Sequence, residues 1–343
     1  MKALCFYEHG DLDVLRYEDV AIPEPGPGQV LVKVRACALN HLDVWVRRGW
    51  PGLKLAMPHW CGADVAGEIA ALGEGVTGWE LGCRVVVDPG INMATDEFTR
   101  RGEDSLSPDY VILGEQVRGG QAEYVVVPAA NLAAIPDGWD FPQAAAPLLV
   151  GLTAWRMLIH RAALRAGESV LIVGAGGGVN SMAIQIAKLA GATVYALTSS
   201  EEKMEKARQL GADVVLNYRE DPQWSKTLYK LTDRRGVDVV VDNVGQATLM
   251  QSLRAVRRGG RIVIVGNTSG PLCQVDLRFI FGKQISLIGS TMGSHQEFRD
   301  VLALLWAGKL KPVIDRIMPL AEGRRAFEVL ERGEQFGKIV LVP

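Results

Sequence analysis

The stretch ESVLIVGAGGGVNSMAIQIAKL, Glu168–Leu189, reads as an apolar strand, a glycine-dense turn and an amphipathic helix. Val170 to Val173 form a short continuous apolar run, as expected of a central parallel strand buried on both faces. Val179, Met182, Ala183, Ile186, Ala187 and Ala190 then recur at helical spacing, so the period switches across the glycines. That order presents bare backbone N–H groups, at a helix N-terminus, to a dinucleotide pyrophosphate. Gly174, Gly176, Gly177 and Gly178 remove side chains where a phosphate must approach closely. A tight turn alone can also use glycine, but with both flanks correct the segment reads as a nucleotide site.

The pattern outside this stretch falls into two regimes. From Met1 to about Pro136 the chain shows short β-runs such as QVLVKVRA, RVVVDPG and AEYVVVP, broken by Gly and Pro. Such spacing suggests a barrel-like β domain. From about Gly151 strands alternate with helices: Thr193–Leu197, Glu201–Leu210, Val214–Asn217, Gln223–Leu231, Val237–Asp242, Arg261–Gly266 and Gln284–Ser290. Alternation of this kind implies a doubly wound parallel sheet with right-handed crossovers. The tail, with helices expected over Glu297–Ala307 and Glu322–Arg332 and a closing strand KIVLV, is expected to return to the first domain.

The 343 residues exceed the usual single-core limit, which makes two domains the default. A net charge of −2 with scattered Lys and Arg argues against a nucleic-acid partner. No apolar stretch reaches the ~18 residues of a membrane span. The start, MKALCFYEHGD, lacks the apolar core of a signal peptide. Five cysteines without CxxC pairing favour reduced thiols and a cytoplasmic location.

The second strand of the alternating half ends at Leu197, where an NAD site typically carries an acid for the ribose 2′-hydroxyl. Here Thr198, Ser199 and Ser200 follow, with Lys203 one turn into the helix. Hydroxyls and an ammonium donate to a 2′-phosphate and offset its charge, so NADP(H) is the expected coenzyme. Ser199 or Ser200 is also a ready helix cap, with Glu202 completing a capping box.

Taken together, LNHLDVWVRRG (Leu39–Gly49), GADVAGEIAALG (Gly62–Gly73), AAAPLLVGLTAW (Ala144–Trp155), the glycine turn and the closing GKIVLVP resemble the medium-chain dehydrogenase/reductase superfamily over essentially the whole chain. The likeness is greatest to its zinc-free quinone oxidoreductase branch. The resemblance implies an α/β chain: a GroES-like β-barrel catalytic domain over 1–150, completed by 291–343, and a Rossmann cofactor domain over 151–290. It also implies a cleft site between the two and assembly into a homodimer or homotetramer through edge strands. QISLIGS and the preceding Leu277, Phe279, Ile280 and Phe281 are the expected contact surface.

Zinc-dependent members hold a catalytic metal at positions that match Asn40, Ala63 and Leu149. Neither Ala nor Leu ligates Zn²⁺, and one Asn does not make a three-ligand site. The relatives' structural zinc lobe matches Asp88–Tyr110, with Met93, Asp96, Thr99 and Ser107 at the four thiolate positions. No zinc is expected at either place, although His41, His59 and Asp64 offer other ligands in the same region. Without a metal to acidify an alcohol, plain alcohol oxidation lacks its base. Quinones and α,β-unsaturated carbonyls are already electrophilic, and a few fixed donors stabilise the oxyanion that hydride arrival creates. The expected partner is therefore a small electrophilic acceptor.

Asn40 is a candidate donor to the substrate oxygen or the nicotinamide ribose, and Asp43, three residues on, orients its neighbours. His41 matches a position near the pyrophosphate. Thr153 in the GLTA turn matches a residue touching nicotinamide, and Asn180 suits a helix N-cap. Tyr218 resembles a tyrosine flanking the 2′-phosphate. Asn243, Val244 and Gly245, then Val265, Gly266 and Asn267, then Ser290 and Thr291, follow three successive strands, where ligands bind in open α/β sheets. Lys338 in FGKIV is similar to family positions near the cofactor. Trp45, Trp50 and Trp60 are candidates to line an apolar pocket. Two other readings remain: a zinc-type alcohol dehydrogenase, and a catalytically idle NADPH-binding sensor or scaffold.

Overall fold

In the computed structural model, which describes residues 1–343, the apolar run around Val170 is the centre of a six-stranded parallel sheet. Its strands, in spatial order, are Val214–Asn217, Thr193–Thr198, Ser169–Val173, Val237–Asp242, Val256–Ile264 and Ser286–Gly289. Counted along the chain this is order 3-2-1-4-5-6, the doubly wound Rossmann arrangement. Val170, Leu171 and Ile172 are fully buried, with Val239, Val240 and Val241 beside them. Burying Val170–Val173 contributes roughly 6–12 kcal/mol before chain entropy is subtracted. The strand order reverses between Ser169–Val173 and Val237–Asp242, so the glycine turn lies at the topological switch point.

The fifth strand begins earlier than its RIVIV motif suggests. It runs from Val256, and its register against the fourth shifts between Val237 and Val239, the signature of a bulge over Arg257–Gly260. The sixth is shorter than QISLIGS: Gln284 takes a left-handed conformation (φ 54°) that ends the Leu277–Lys283 helix, and the strand starts at Ser286.

The other unit is built on a seven-stranded sheet. Its path is Ile314–Pro319, Lys338–Val342, Gln29–Ala38, Asp64–Leu72, Arg84–Val87 and Leu132–Ala134, with Tyr124–Pro128 also paired to Gln29–Ala38. Alternate positions of Gln29–Ala38, namely Val30, Val32 and Val34, face one apolar cluster with Val65, Ile69, Val85, Val87, Val125 and Val127. A second cluster joins Leu4, Phe6, Leu39, Val44, Val46, Phe327, Leu330, Ile339 and Leu341.

The first unit comprises Met1–Leu149, Gly293–Trp306 and Pro312–Pro343; the second comprises Val150–Met292 and Ala307–Lys311. Residues 307–311 thus fold with the parallel sheet, where sequence reading assigns them to the tail. Gln185 explains this locally: its side chain brackets Lys311, donating to the carbonyl and accepting from the N–H. The tail helices span His295–Trp306 and Gly323–Glu331.

Candidate active site

Strand register gathers the residues of the barrel unit's polar centre. Ala38 pairs with Asp64 on one side and Val340 on the other, and Leu39 N–H donates to the Ile339 carbonyl. Counting two residues along each strand brings Lys338 opposite Asn40. The contacts follow from that register. Lys338 Nζ donates to Asn40 Oδ1 at 2.5 Å and to Asp64 Oδ2 at 2.8 Å. Asn40 Nδ2 donates to the same Asp64 Oδ2 at 2.9 Å, and Asp64 Oδ1 accepts the Leu149 N–H at 2.6 Å. All three side chains are buried. A buried ammonium and carboxylate are tolerable only when paired and hydrogen-bonded in this way.

Asn40 is therefore not a free donor for a substrate oxygen or a ribose, as sequence reading expects. Both ends of its amide are engaged within the unit. Asp64 carries more than its sequence position suggests; an acid at the start of the strand DVAGEIAAL, and a lone lysine in KIVLV, are the available signals.

Asn40 also caps the His41–Arg48 helix, where a reciprocal capping box joins it to Asp43. Asp43 accepts the Asn40 N–H at 2.7 Å and the Gly62 N–H at 3.1 Å. Burial pushes its carboxyl up to about 7, against these two N–H groups and the Lys338 charge, which hold it down. Asp43 thus orients Asn40 and the Gly62 turn. Gly62 has φ +107°, and a Cβ there would meet Cys37 Sγ at 2.6 Å and the Gln121 nitrogen at 2.8 Å, so only glycine fits.

His41 opens the helix, half-buried, with its ring 6.5 Å from that of Trp45. Burial, and then the Lys338 charge, push its pKa down to about 4, so near neutrality it offers a single N–H and no positive charge. His59 lies elsewhere. Its ring contacts Phe6 edge-on, Nε2 faces the Gly114 carbonyl at 3.3 Å, and burial pushes its pKa down to about 4. With Trp60 and Arg118 it lines a cavity of about 370 Å³ in the barrel unit. Trp45 and Trp50 are not among that cavity's walls; Trp50 is solvent-exposed and Trp45 half-buried.

The residues do not fit a zinc ion. Ala63 and Leu149 have no ligating atoms, Asn40 and Asp64 are bound to Lys338, and His41 and His59 do not join Asp64. No three His, Cys, Asp or Glu side chains are arranged to hold a metal. The lobe over Asp88–Tyr110 is ordered by hydrogen bonds instead. Asp96 Oδ1 accepts the Phe98 and Thr99 N–H groups, Thr99 Oγ1 accepts the Asp96 N–H, and Ser107 Oγ accepts the Asp109 N–H. The Thr99 N–H leads in holding the Asp96 carboxyl below its usual value. Met93 is turned to solvent.

The parallel-sheet unit fits a dinucleotide. Gly174 sits at φ +86°, closing the turn, and its N–H and that of Ala175 donate to the Leu197 carbonyl. Gly177 is the N-cap of the Gly178–Leu189 helix, and no side chain caps it. The first-turn N–H groups of Gly178, Val179 and Asn180 thus keep their capacity for an anion. Asn180 is not the cap that sequence reading proposes. It sits at the third helical position, where Nδ2 donates to the Val173 and Gly174 carbonyls and Oδ1 accepts from Asn243 Nδ2 at 2.7 Å. Its amide therefore faces inward and splices the strand end to the fourth strand. Asn243 Oδ1 in turn accepts the Val265 N–H, joining the fourth strand to the fifth.

Gly245 and Gly266 let these strand-end loops approach. A Cβ on Gly245 would lie 3.0 Å from the Gly270 carbonyl oxygen and 3.4 Å from Asn267 Cα, and one on Gly266 would lie 3.1 Å from the Asn243 carbonyl oxygen. Ser269 N–H donates to the Val244 carbonyl, and Ser290 N–H to that of Ile264. Thr291 is exposed. Two buried hydroxyls here have no partner: Thr153 Oγ1 and Ser290 Oγ. An orphaned buried hydroxyl is uncommon, and a ligand's polar atoms would satisfy it.

At the end of the second strand, Tyr218 N–H donates to the Thr198 carbonyl, which sets the Tyr218 backbone beside the Thr198–Ser200 turn. Tyr218 is exposed and Ser199 half-buried. Ser200 is the cap of the Glu201–Gln209 helix, accepting the Lys203 N–H. The capping box with Glu202 does not form; Glu202 is one position too early and pairs with Lys206 at 2.7 Å.

This pairing of a GroES-like unit with a glycine-turn Rossmann unit defines a pyridine-nucleotide oxidoreductase. The chain matches the family models for an alcohol dehydrogenase GroES-like domain over residues 26–137 and a zinc-binding dehydrogenase over 178–307. It is 34% identical over 348 residues to an NAD-dependent alcohol dehydrogenase of Sulfolobus acidocaldarius, covering 99% of each chain. It is 33% identical over 350 residues to the human quinone oxidoreductase, covering 100% of this chain and 98% of the relative. A crystal structure of an NAD-dependent alcohol dehydrogenase superposes with a TM-score of 0.96 at 43% identity, with full coverage of both chains. The chain belongs to the medium-chain dehydrogenase/reductase superfamily. A pyridine nucleotide is the cofactor expected of this family. No helix is long and apolar enough to cross a membrane.

Proposed function

We propose that the protein is an NADPH-dependent reductase of quinones or α,β-unsaturated carbonyls that works without zinc. The observation that carries this reading is the Asn40–Asp64–Lys338 network, which engages Asn40, the one polar side chain at the relatives' metal-ligand positions. When bound, the coenzyme supplies a hydride. Gly176, Gly177, Gly178 and Val179 would offer backbone to its pyrophosphate, with Thr153 and Ser290 offering hydroxyls nearer the nicotinamide end. Asn180 and Asn243 hold that frame in shape. Thr198, Ser199, Ser200, Lys203 and Tyr218 form the surface for a 2′-phosphate, and no carboxylate at the strand end opposes it. Val244, Gly245, Val265, Gly266, Asn267 and Thr291 supply the walls around the ribose.

The two carboxylates at the barrel unit's polar centre are already engaged and are poor bases for ionising an alcohol. Asp64 is held by Lys338, and Asp43 takes two backbone N–H groups. An acceptor whose oxygen gains charge as hydride arrives suits such a unit better than an alcohol that must lose a proton. Initial rates with NADPH and NADH across a panel of quinones, enones and primary alcohols test the reading. NADPH-driven quinone or enone turnover supports it. Alcohol oxidation that follows added Zn²⁺, or equal use of NADH, refutes the corresponding part.

We also propose a homodimer or homotetramer in the cytoplasm. The Ser286–Gly289 strand is a sheet edge, and Leu272, Leu277, Phe281 and Leu287 are exposed near it in sequence. Light scattering of the purified protein measures the subunit number directly.

A further inference from the structure

Family resemblance assigns residues 40, 63 and 149 to a metal, and here hydrogen bonds tie those three stretches together. We propose that the Lys338 ammonium is the resident cation of the barrel unit: a positioning residue that holds Asn40 and Asp64, and through Asp64 the Leu149 backbone, and thereby closes the place to a divalent ion.

The geometry makes a closed circuit. One ammonium reaches Asn40 Oδ1 (2.5 Å) and Asp64 Oδ2 (2.8 Å); Asn40 returns to Asp64 (2.9 Å); Asp64 extends to the backbone of Leu149 (2.6 Å). Ala63, the remaining position, is fully buried beside them. The cation is covalently supplied, because Lys338 begins the strand whose register against Leu39 and Ala38 carries it there. An ammonium presents three N–H donors, and two are fixed by these oxygens.

A dication would have to displace a like charge that the chain cannot release, and Asp64 is the one carboxylate in the circuit. Asp43 lies outside the circuit, with its oxygens accepting the Asn40 and Gly62 N–H groups. The charge balance is therefore one cation to one anion, which a lysine matches and Zn²⁺ does not. Only the kinetic part of the test below rests on the reductase reading.

The test uses full-length Lys338→Ala, Lys338→Met and the double variant Lys338→Met/Asp64→Asn. Three quantities are read for each: melting temperature, NADPH binding by fluorescence, and NADPH-driven quinone reduction. Lys338→Ala is expected to lose at least tenfold in kcat/KM and to melt earlier. n-Butylammonium chloride should restore at least fivefold of the rate and most of the melting temperature, saturably, whereas butanol and sodium chloride should not. The double variant, with neither charge, should regain the melting temperature yet keep the kinetic loss. Zinc measured in the wild type after equilibration with Zn²⁺ and desalting should be far below one per chain.

Equal rescue by butanol overturns the proposal, as does wild-type behaviour of Lys338→Met. A double variant with wild-type turnover, or stoichiometric tightly held zinc, does so too. If Lys338→Ala does not fold, the double variant decides. If the wild type reduces no quinone, the reductase reading fails, while the melting and binding arms still decide the role of Lys338.

Discussion

His295 offers the sharpest test of how the lobe over Asp88–Tyr110 is held. Its Nδ1 lies 2.7 Å from Asp88 Oδ2 and its Nε2 lies 3.0 Å from Asn92 Oδ1. Asn92 Nδ2 donates to the Asp104 carbonyl at 3.3 Å, which fixes the amide with its oxygen toward the ring. Both ring nitrogens thus face acceptors, and only the doubly protonated imidazolium satisfies both. Asp88, first by hydrogen bond and then by charge, raises the His295 pKa, with Asp104 adding to it; burial and Arg299 oppose. The His295 N–H also donates to Asp104 Oδ2 at 3.0 Å.

Replacing the ring by His295→Ala removes a charge-assisted bond of about 1.5–3 kcal/mol and leaves the buried Asp88 unpaired. Breaking a wholly buried pair costs about 3–5 kcal/mol, but the His295 side chain is 29% exposed, so solvent screening lowers this to about 2–3 kcal/mol. Because the raised pKa belongs to the folded state, this stabilisation is full below the unfolded value near ~6.5 and fades as pH rises through the folded one. Hydrogen exchange over residues 88–110, corrected for intrinsic rates, is the assay. Protection in the wild type should fall as the pH rises above about 6.5, and in His295→Ala it should be low and flat. Identical protection profiles in the two proteins would refute the reasoning.

Three further outcomes follow from Thr153, Ser200 and Asp43. Thr153→Val removes an unpartnered hydroxyl, so stability of the free protein should hold or rise by up to about 1 kcal/mol while coenzyme binding, by titration, weakens about 5–30-fold. Ser200→Asp keeps the helix cap but puts a carboxylate beside the proposed 2′-phosphate surface; the NADPH-to-NADH ratio of kcat/KM should fall about tenfold or more with an unchanged melting temperature. Asp43, whose carboxyl is raised to about 7, favours its protonated form in the fold. Its contribution to stability should therefore decline from pH 4 to 7, and denaturant midpoints of Asp43→Asn should show less of that decline than the wild type. The asparagine also gives up one of two accepted N–H bonds, which costs about 1–3 kcal/mol.

The Rossmann unit was legible because each of its signals is local. Val170–Val173, the glycines and the helical spacing after them stand within one segment, and the side-chain period alone reports them. The inward amide of Asn180 was not legible, since its partners Val173, Gly174 and Asn243 are set by how strand four lies beside strand one. Asn40 shows the same limit more strongly. Its neighbours Asp64 and Lys338 are 24 and 298 residues away, and only sheet register reveals that they meet. The Ser200 cap was visible, but which acid would answer it depended on a one-residue choice of helix start.

The strand beginning at Lys338 has a consequence for how the protein is made. Residues 29–72 and their buried Asp64 emerge from the ribosome long before their partner strand does, with the whole parallel sheet translated in between. The second unit's main segment, Val150–Met292, is contiguous and closes on itself as it is synthesised. The barrel unit, by contrast, lacks the cation that pairs with Asp64 until Lys338 has been translated. Its completion therefore comes late, when a residue 274 positions beyond Asp64 joins it.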